Sequence, residues 1–307
     1  MSHVSQQLAS GALSGLATTV ILQPFDLLKT RMQQGGLPVP KHGRPHASMV
    51  LAISREIVRT QGLRGLWRGT EASLYRNVPG VAMYMASLTQ LRGFLATSPH
   101  FTFVQTKKTS RNANGSRSVL PTLTSSGNLA AGAAARVTIG FLLNPFSVLK
   151  ARFESNMYNY QSVGQGMGMM VRSGPSELFR GFLASAMRDA PHAGIFIVFY
   201  EQIKKDASYL FAPQTTAQSS AVHAFSAASA GALATITTQP FDVIKTRIQV
   251  RPEGEYHSIL RTVKLVLRER GPLGLFDGAS LRMSRKVLSS AIGWVVYEAV
   301  LMVWTSS

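Results

Sequence analysis

Three dipeptides carry the chemistry this sequence could perform on a small molecule: Arg76-Asn77, Arg188-Asp189 and Arg285-Lys286. Each lies seven and eight residues past a glycine that closes an aromatic-x-Gly triplet, Trp67/Gly69, Phe179/Gly181 and Phe276/Gly278. An arginine offers a planar fork to a carboxylate, and an adjacent aspartate offers a counter-charge to an ammonium group. Arg188-Asp189 is therefore the minimal recognition set for an amino-acid zwitterion. An arginine repeated at this point reads equally well as a structural or gating residue, so Arg76 and Arg285 stand between those roles and ligand contact.

A second constellation is written three times. Pro24-Phe25-Asp26-Leu27-Leu28-Lys29-Thr30-Arg31 returns as Pro145-Phe146-Ser147-Val148-Leu149-Lys150-Ala151-Arg152, and again as Pro240-Phe241-Asp242-Val243-Ile244-Lys245-Thr246-Arg247. Each copy follows an amide residue (Gln23, Asn144, Gln239) and about twenty apolar or small residues. Pro24, Pro145 and Pro240 each remove a backbone donor and are expected to kink their helices. The acidic residue and the lysine three places on share one helix face. Three ordered matches inside apolar helices make a repeat architecture.

The elements around these residues repeat with the same grammar. In the first copy a helix is expected over about 7–34, a short amphipathic helix over 48–60 that lies along a surface, and a long helix over 71–95. The second copy reads as helices over about 124–155, 161–172 and onward to 208; the third as 220–250, 257–269 and onward to 304. Repeat one spans 5–97, repeat two 122–210 and repeat three 217–305, within a single domain over 1–307. The Ser-, Thr-, Lys- and Asn-rich stretch 98–121 reads as a flexible linker. Small residues recur thirteen and nine places before each proline (Gly11/Gly15, Gly132, Ala227/Gly231), except that Arg136 replaces one of them. Arg136 either faces a cavity as a further carboxylate contact or pairs structurally.

Composition excludes several function classes. Of 307 residues 15% are charged and 45% hydrophobic, yet no segment is apolar from end to end, as in amphipathic spanning helices around a watery interior. The net charge of +18 suits an anionic membrane surface or anionic ligands. It is spread along the chain without a nucleic-acid-binding motif, so no nucleic-acid partner is expected. Without cysteine the chain makes no disulfide, no thiol nucleophile and no cysteine metal site. There is no nucleophile-base set, metal spacing or phosphate-binding glycine loop, so neither enzyme activity, cofactor nor metal is expected. The first residues lack a basic n-region and arginine, so no cleavable presequence is expected.

Three P-x-[D/S]-x-x-K-x-R copies, each followed by G-x-x-x-x-aromatic-x-G, resemble the mitochondrial carrier family (solute carrier family 25) over essentially the whole chain. The resemblance implies an all-α membrane protein with six tilted transmembrane helices in three tandem pseudo-threefold repeats, three short matrix-side amphipathic helices and alternating access in the inner mitochondrial membrane. It also implies internal targeting signals and anionic lipid such as cardiolipin at the matrix side, and a threefold repeat that closes the bundle within one chain makes a monomer the expectation. A matrix gate would pair Asp26 with Lys150 and Asp242 with Lys29, leaving Lys245 opposite Ser147, which cannot form an ion pair. The opposite, cytoplasmic-side gate would comprise Thr89, Arg92, Glu201, Lys204, Glu298 and Leu301, with Glu298–Arg92 alone keeping both charges.

Within the family, Arg188-Asp189 resembles the amino-acid subgroup. The stretch Arg188-Asp189-Ala190-Pro191-His192-Ala193-Gly194, together with Ser147, Arg136 and the run from Lys150 to Ser155, resembles the members that carry glycine for haem synthesis. The expectation is import of glycine or a similar small amino acid, with Arg76, Asn77, Arg136, Arg188, Asp189, Arg285 and Lys286 as contacts. The alternatives are a carrier of anionic metabolites, supported by the cationic cavity but opposed by Asp189, and a non-transporting carrier-like scaffold.

Overall fold

A computed structural model describes residues 3–35, 46–96, 125–211, 215–252, 254–256 and 258–305. The linker 98–121 lies outside the described residues. Within them all regular structure is helical. The helices are α1 (His3–Gln33), α2 (His46–Gln61), α3 (Thr70–Ala96), α4 (Ser125–Leu142), α5 (Asn144–Glu154) and α6 (Val163–Arg172). Then come the single turn α7 (Pro175–Leu178), α8 (Phe182–Phe211), α9 (Thr216–Thr237), α10 (Gln239–Val250), α11 (Ile259–Arg270) and α12 (Ala279–Thr305).

The long segments contact one another in a closed circuit: α1 on α3, α3 on α4 and α5, α4 on α8, α8 on α9 and α10, α9 on α12, and α12 back on α1. At one end of the circuit α1, α5 and α10 also touch each other across the middle. The proline-motif segments thus converge on a common axis.

The prolines act unequally. Instead of single helices over 124–155 and 220–250, the chain breaks at Leu143 and at Thr238. Pro145 and Pro240 then occupy the first turn of α5 and α10, where a missing N–H costs nothing. Helix α1 runs unbroken through Pro24, and α3 and α8 run through Pro79 and Pro191. Gly80 admits the first break: a Cβ there would stand 3.0 Å from Leu143 Cδ1.

Each surface helix is pinned to a proline-motif segment by its apolar stripe. Ile53 and Ile57 of α2 are buried with Leu27, Met32 and Leu281. Met170 of α6 is buried with Val148, Leu149 and Phe153, and α11 lays Ile259 and Val263 against Ile244 and Ile248. Full burial of one such aliphatic side chain contributes about 1.5–3 kcal/mol. The motif glycines explain themselves here. Gly62/Gly69, Gly174/Gly181 and Gly271/Gly278 all have positive φ, between 66° and 106°, a region that other residues enter only with strain.

Among the described residues no single helix is both long and apolar enough to cross a membrane. The bent pair Leu129–Leu142 and Asn144–Glu154, angled by 67°, reaches that length and composition. Mean hydropathy is lowered where a helix carries charged or polar residues within its span, as α3 does with Arg76-Asn77, α8 with Arg188-Asp189 and α12 with Arg285-Lys286, each near the helix start.

Candidate substrate site and ion-pair layer

Inside the circuit lies a cavity of about 540 Å³, lined by Thr19, Arg76, Asn77, Arg136, Asp189 and Lys245 among others. A smaller one of about 270 Å³ includes Asp26, Lys29, Lys150 and Asp242 in its lining. Arg76, Ser147, Asp189, Lys245 and Arg285 line both, so they form the floor of one and the roof of the other.

The convergent helices bring the motif charges together across repeats. Lys150 Nζ lies 2.7 Å from Asp26 Oδ2, and Lys29 Nζ lies 2.7 Å from Asp242 Oδ2. Lys245 Nζ donates to Ser147 Oγ at 3.3 Å. Each aspartate holds a second cation, which the motif spacing does not reveal. Arg188 Nη1 lies 2.8 Å from Asp242 Oδ1, and Arg285 Nε contacts Asp26 Oδ1. Carboxylates this far from water are costly unless paired, and here each is shared by two cations from different repeats.

Arg188 is the most heavily engaged of the dipeptide residues. Its Nε and Nη2 fork the Asp189 carboxylate at 2.7 and 3.0 Å while Nη1 holds Asp242. The fork expected to be open to a ligand is closed by neighbours. Arg76 donates to Asn77 Oδ1 at 3.3 Å, and Asn77 Nδ2 donates to Thr19 Oγ1 at 3.0 Å. Arg136 sits on the cavity wall with its guanidinium carbon 5.4 Å from the Tyr84 ring centroid, a cation–π contact. Lys286 Nζ stands 2.7 Å from His192 Nε2 and donates to Thr235 Oγ1 at 3.4 Å.

The other end of the circuit is different. Among the described residues Arg92, Glu201 and Lys204 form no ion pair, and Thr89 and Glu201 are exposed. The side chains of Glu298 and Leu301 lie outside the described residues, so the expected Glu298–Arg92 pair is not addressed.

Several residues of the layer escape sequence reasoning. The amide before each proline donates to the backbone carbonyl just ahead of the aromatic-x-Gly glycine or nearby: Gln23 to Arg68 O (3.1 Å), Gln239 to Asp277 O (2.8 Å), and Asn144 to Leu178 O (2.8 Å). The motif arginines bond end carbonyls on neighbouring repeats: Arg31 to Glu154 O (2.8 Å), Arg152 to Gln249 O (3.2 Å) and Arg247 to Gln33 O (3.2 Å). Nine residues past each proline stand Gln33, Glu154 and Gln249. Gln33 Nε2 donates to Asp242 Oδ2 at 3.0 Å, while Glu154 accepts from Thr30 at 2.6 Å and lies 3.6 Å from Lys150. Their threefold recurrence was the available signal.

Outside the helical circuit, Glu177 pairs with Arg180 at 2.9 Å and with Arg152. Burial pushes its carboxyl upward, but the two guanidiniums outweigh it and hold the group below the ordinary glutamate value.

A helical circuit around a polar cavity, closed at one end by charges contributed in rotation from three sequence repeats, is the architecture of a solute carrier. The family model described as Mitochondrial carrier protein matches residues 1–99, 121–208 and 216–307, and the chain belongs to that family. A protein of Laccaria bicolor named Mitochondrial glycine transporter is 62% identical over 308 residues, covering 100% of both chains. A protein of the same name from Emericella nidulans is 42% identical over 303 residues, 98% of this chain and 89% of its own. A third, from Aspergillus niger, is 40% identical over 305 residues, 98% of this chain and 91% of its own.

Proposed function

We propose that this protein imports glycine, or a similarly small amino-acid zwitterion, through the inner mitochondrial membrane into the matrix by alternating access. Six spanning segments (α1, α3, α4 with α5, α8, α9 with α10, α12) would be arranged as three tandem repeats over 5–97, 122–210 and 217–305, in one monomeric unit. The amphipathic helices α2, α6 and α11 would lie along the matrix surface, against anionic lipid. The ion pairs at the convergent end would be the matrix gate, closed here, with the cavity open to the opposite side.

The observation that carries this reading is Asp189, held by Arg188, on a cavity floor that also carries Arg76, Lys245 and Arg285. A floor with cationic groups and one half-open carboxylate suits a zwitterion, whereas Asp189 would repel a dianion. The name shared by its relatives agrees with it. Matrix glycine would then feed the condensation that starts haem synthesis. The test is saturable uptake of labelled glycine into liposomes carrying the purified protein, competed with alanine, serine, oxoglutarate and ATP. Counter-exchange of an anion without glycine uptake would overturn the proposal in favour of an anion carrier.

A further inference from the structure

The ion-pair layer follows a rule of rotation. Asp26 of repeat one takes its lysine (Lys150) from repeat two and its arginine (Arg285) from repeat three. Asp242 of repeat three takes its lysine (Lys29) from repeat one and its arginine (Arg188) from repeat two. The same rotation assigns Lys245 and Arg76 to the position held by Ser147. There the carboxylate is missing while both cations remain.

Among the described residues no carboxylate reaches ion-pair distance of either cation; their hydrogen bonds go to Asn77 and Ser147. Lys245 is 7% exposed, and a buried ammonium without a counter-ion is costly. Repeat two does carry one extra carboxylate, Glu154, but it turns to Lys150, Thr30 and Gln23. Lys150 thus has two carboxylates within ion-pair distance, and Lys245, among the described residues, has none. Arg76, Ser147, Lys245 and Asp189 all line the cavity, so the uncompensated cations are reachable from it.

Building on the zwitterion reading above, we propose that the substrate's own carboxylate takes the place of the missing third acid, between Arg76, Ser147 and Lys245, with its ammonium group turned to Asp189. Arg188 then acts as a positioning residue, because its fork is already closed on Asp189 and Asp242. Two cations and a hydroxyl donor receive the carboxylate. Asp189, its side chain 30% exposed, keeps lone pairs for the ammonium. The substrate carboxylate offsets one of the two unpaired cations, whereas an amine alone would leave Lys245 and Arg76 as they are. The carboxylate reaches this position from the cavity that Arg76, Ser147, Asp189 and Lys245 line.

The experiment compares Ser147→Asp with Ser147→Asn in glycine uptake by liposomes, beside the parent protein. The two substitutions have the same size, and only the first builds the missing acid. Ser147→Asp is expected to lower uptake about tenfold further than Ser147→Asn, and to raise the thermal stability of the unliganded protein in detergent. Equal uptake by the two variants overturns the inference while leaving the carrier reading intact. Absence of glycine uptake by the parent protein would instead sink that reading. If Ser147→Asp is not recovered folded, Lys245→Gln carries the test through KM, expected to rise about tenfold for loss of a charge-assisted bond to substrate. An unchanged KM, with only the maximal rate or stability altered, would overturn the inference.

Discussion

Arg188 Nη1 reaches Asp242 Oδ1 at 2.8 Å, joining the N-terminal part of α8 to the first turn of α10. Through this contact the dipeptide that reads as ligand recognition is wired into the layer that reads as a gate. The Asp242 side chain is 1% exposed and also holds Lys29 and accepts from Gln33. Binding and gating chemistry therefore meet at one carboxylate. A ligand that perturbs Asp189 or Arg188 acts directly on Asp242, with no long pathway between them.

Asp242→Asn is accordingly expected to be the most damaging single substitution in the layer. It strands two buried cations, and removing one partner of a buried pair costs about 3–5 kcal/mol. Asp26→Asn should cost less, because Glu154 remains beside Lys150 and the Asp26 side chain is more open, at 12% against 1%. Thermal unfolding of the purified variants in detergent ranks them. An Asp26 variant as unstable as the Asp242 variant would contradict the shared-carboxylate account.

Asp189→Asn should separate function from folding. Asp189 is partly open to the cavity, and Arg188 keeps Asp242 when it is gone. Glycine uptake is expected to fall about tenfold or more, the worth of a charge-assisted hydrogen bond to an ammonium group, with a smaller loss of thermal stability than in Asp242→Asn. Equal loss of uptake and stability would make Asp189 a structural residue.

Much of this was legible in the sequence, and the boundary has physical causes. The repeated Pro-x-Asp-x-x-Lys spacing announced charges on one helix face, and the structure brings Asp26 to Lys150 and Asp242 to Lys29. The second cation on each aspartate was not legible: spacing along one helix says nothing about how far a long arginine side chain reaches into the next repeat. The breaks at Leu143 and Thr238 were hidden for another reason. A proline marks either a kink within a helix or the first turn of a new one, and the local sequence around Pro24 resembles that around Pro240. The amides Gln23, Asn144 and Gln239 look like ordinary polar residues in a helix until the loop carbonyls they meet are seen.

Asn144→Leu tests those amides. Asn144 is 1% exposed and donates to Leu178 O at 2.8 Å and Arg180 O at 3.4 Å, tying the start of α5 to the turn before α8. Leucine has a similar size and no donor. Leaving a buried carbonyl unpaired costs about 1–3 kcal/mol, so the melting temperature should fall while KM for glycine stays near the parent value. A selective change in KM would assign Asn144, which also lines the cavity, to ligand contact instead.

Glu177 gives a pH dependence that can be assigned to one group. It sits in the turn α7, and burial raises its carboxyl while Arg152 and Arg180 lower it further, so the folded protein holds it below its ordinary value of 4.5. A depressed carboxyl contributes stability above the unfolded value, and the contribution is lost as pH falls through the folded one. Melting temperature in detergent should therefore drop as the medium is acidified below about pH 4.5. In Glu177→Gln the contribution is absent at every pH. That variant should melt lower than the parent at neutral pH, and the gap between the two should close on acidification. A gap that stays constant across the titration would mean that the Arg152 and Arg180 contacts add nothing through charge.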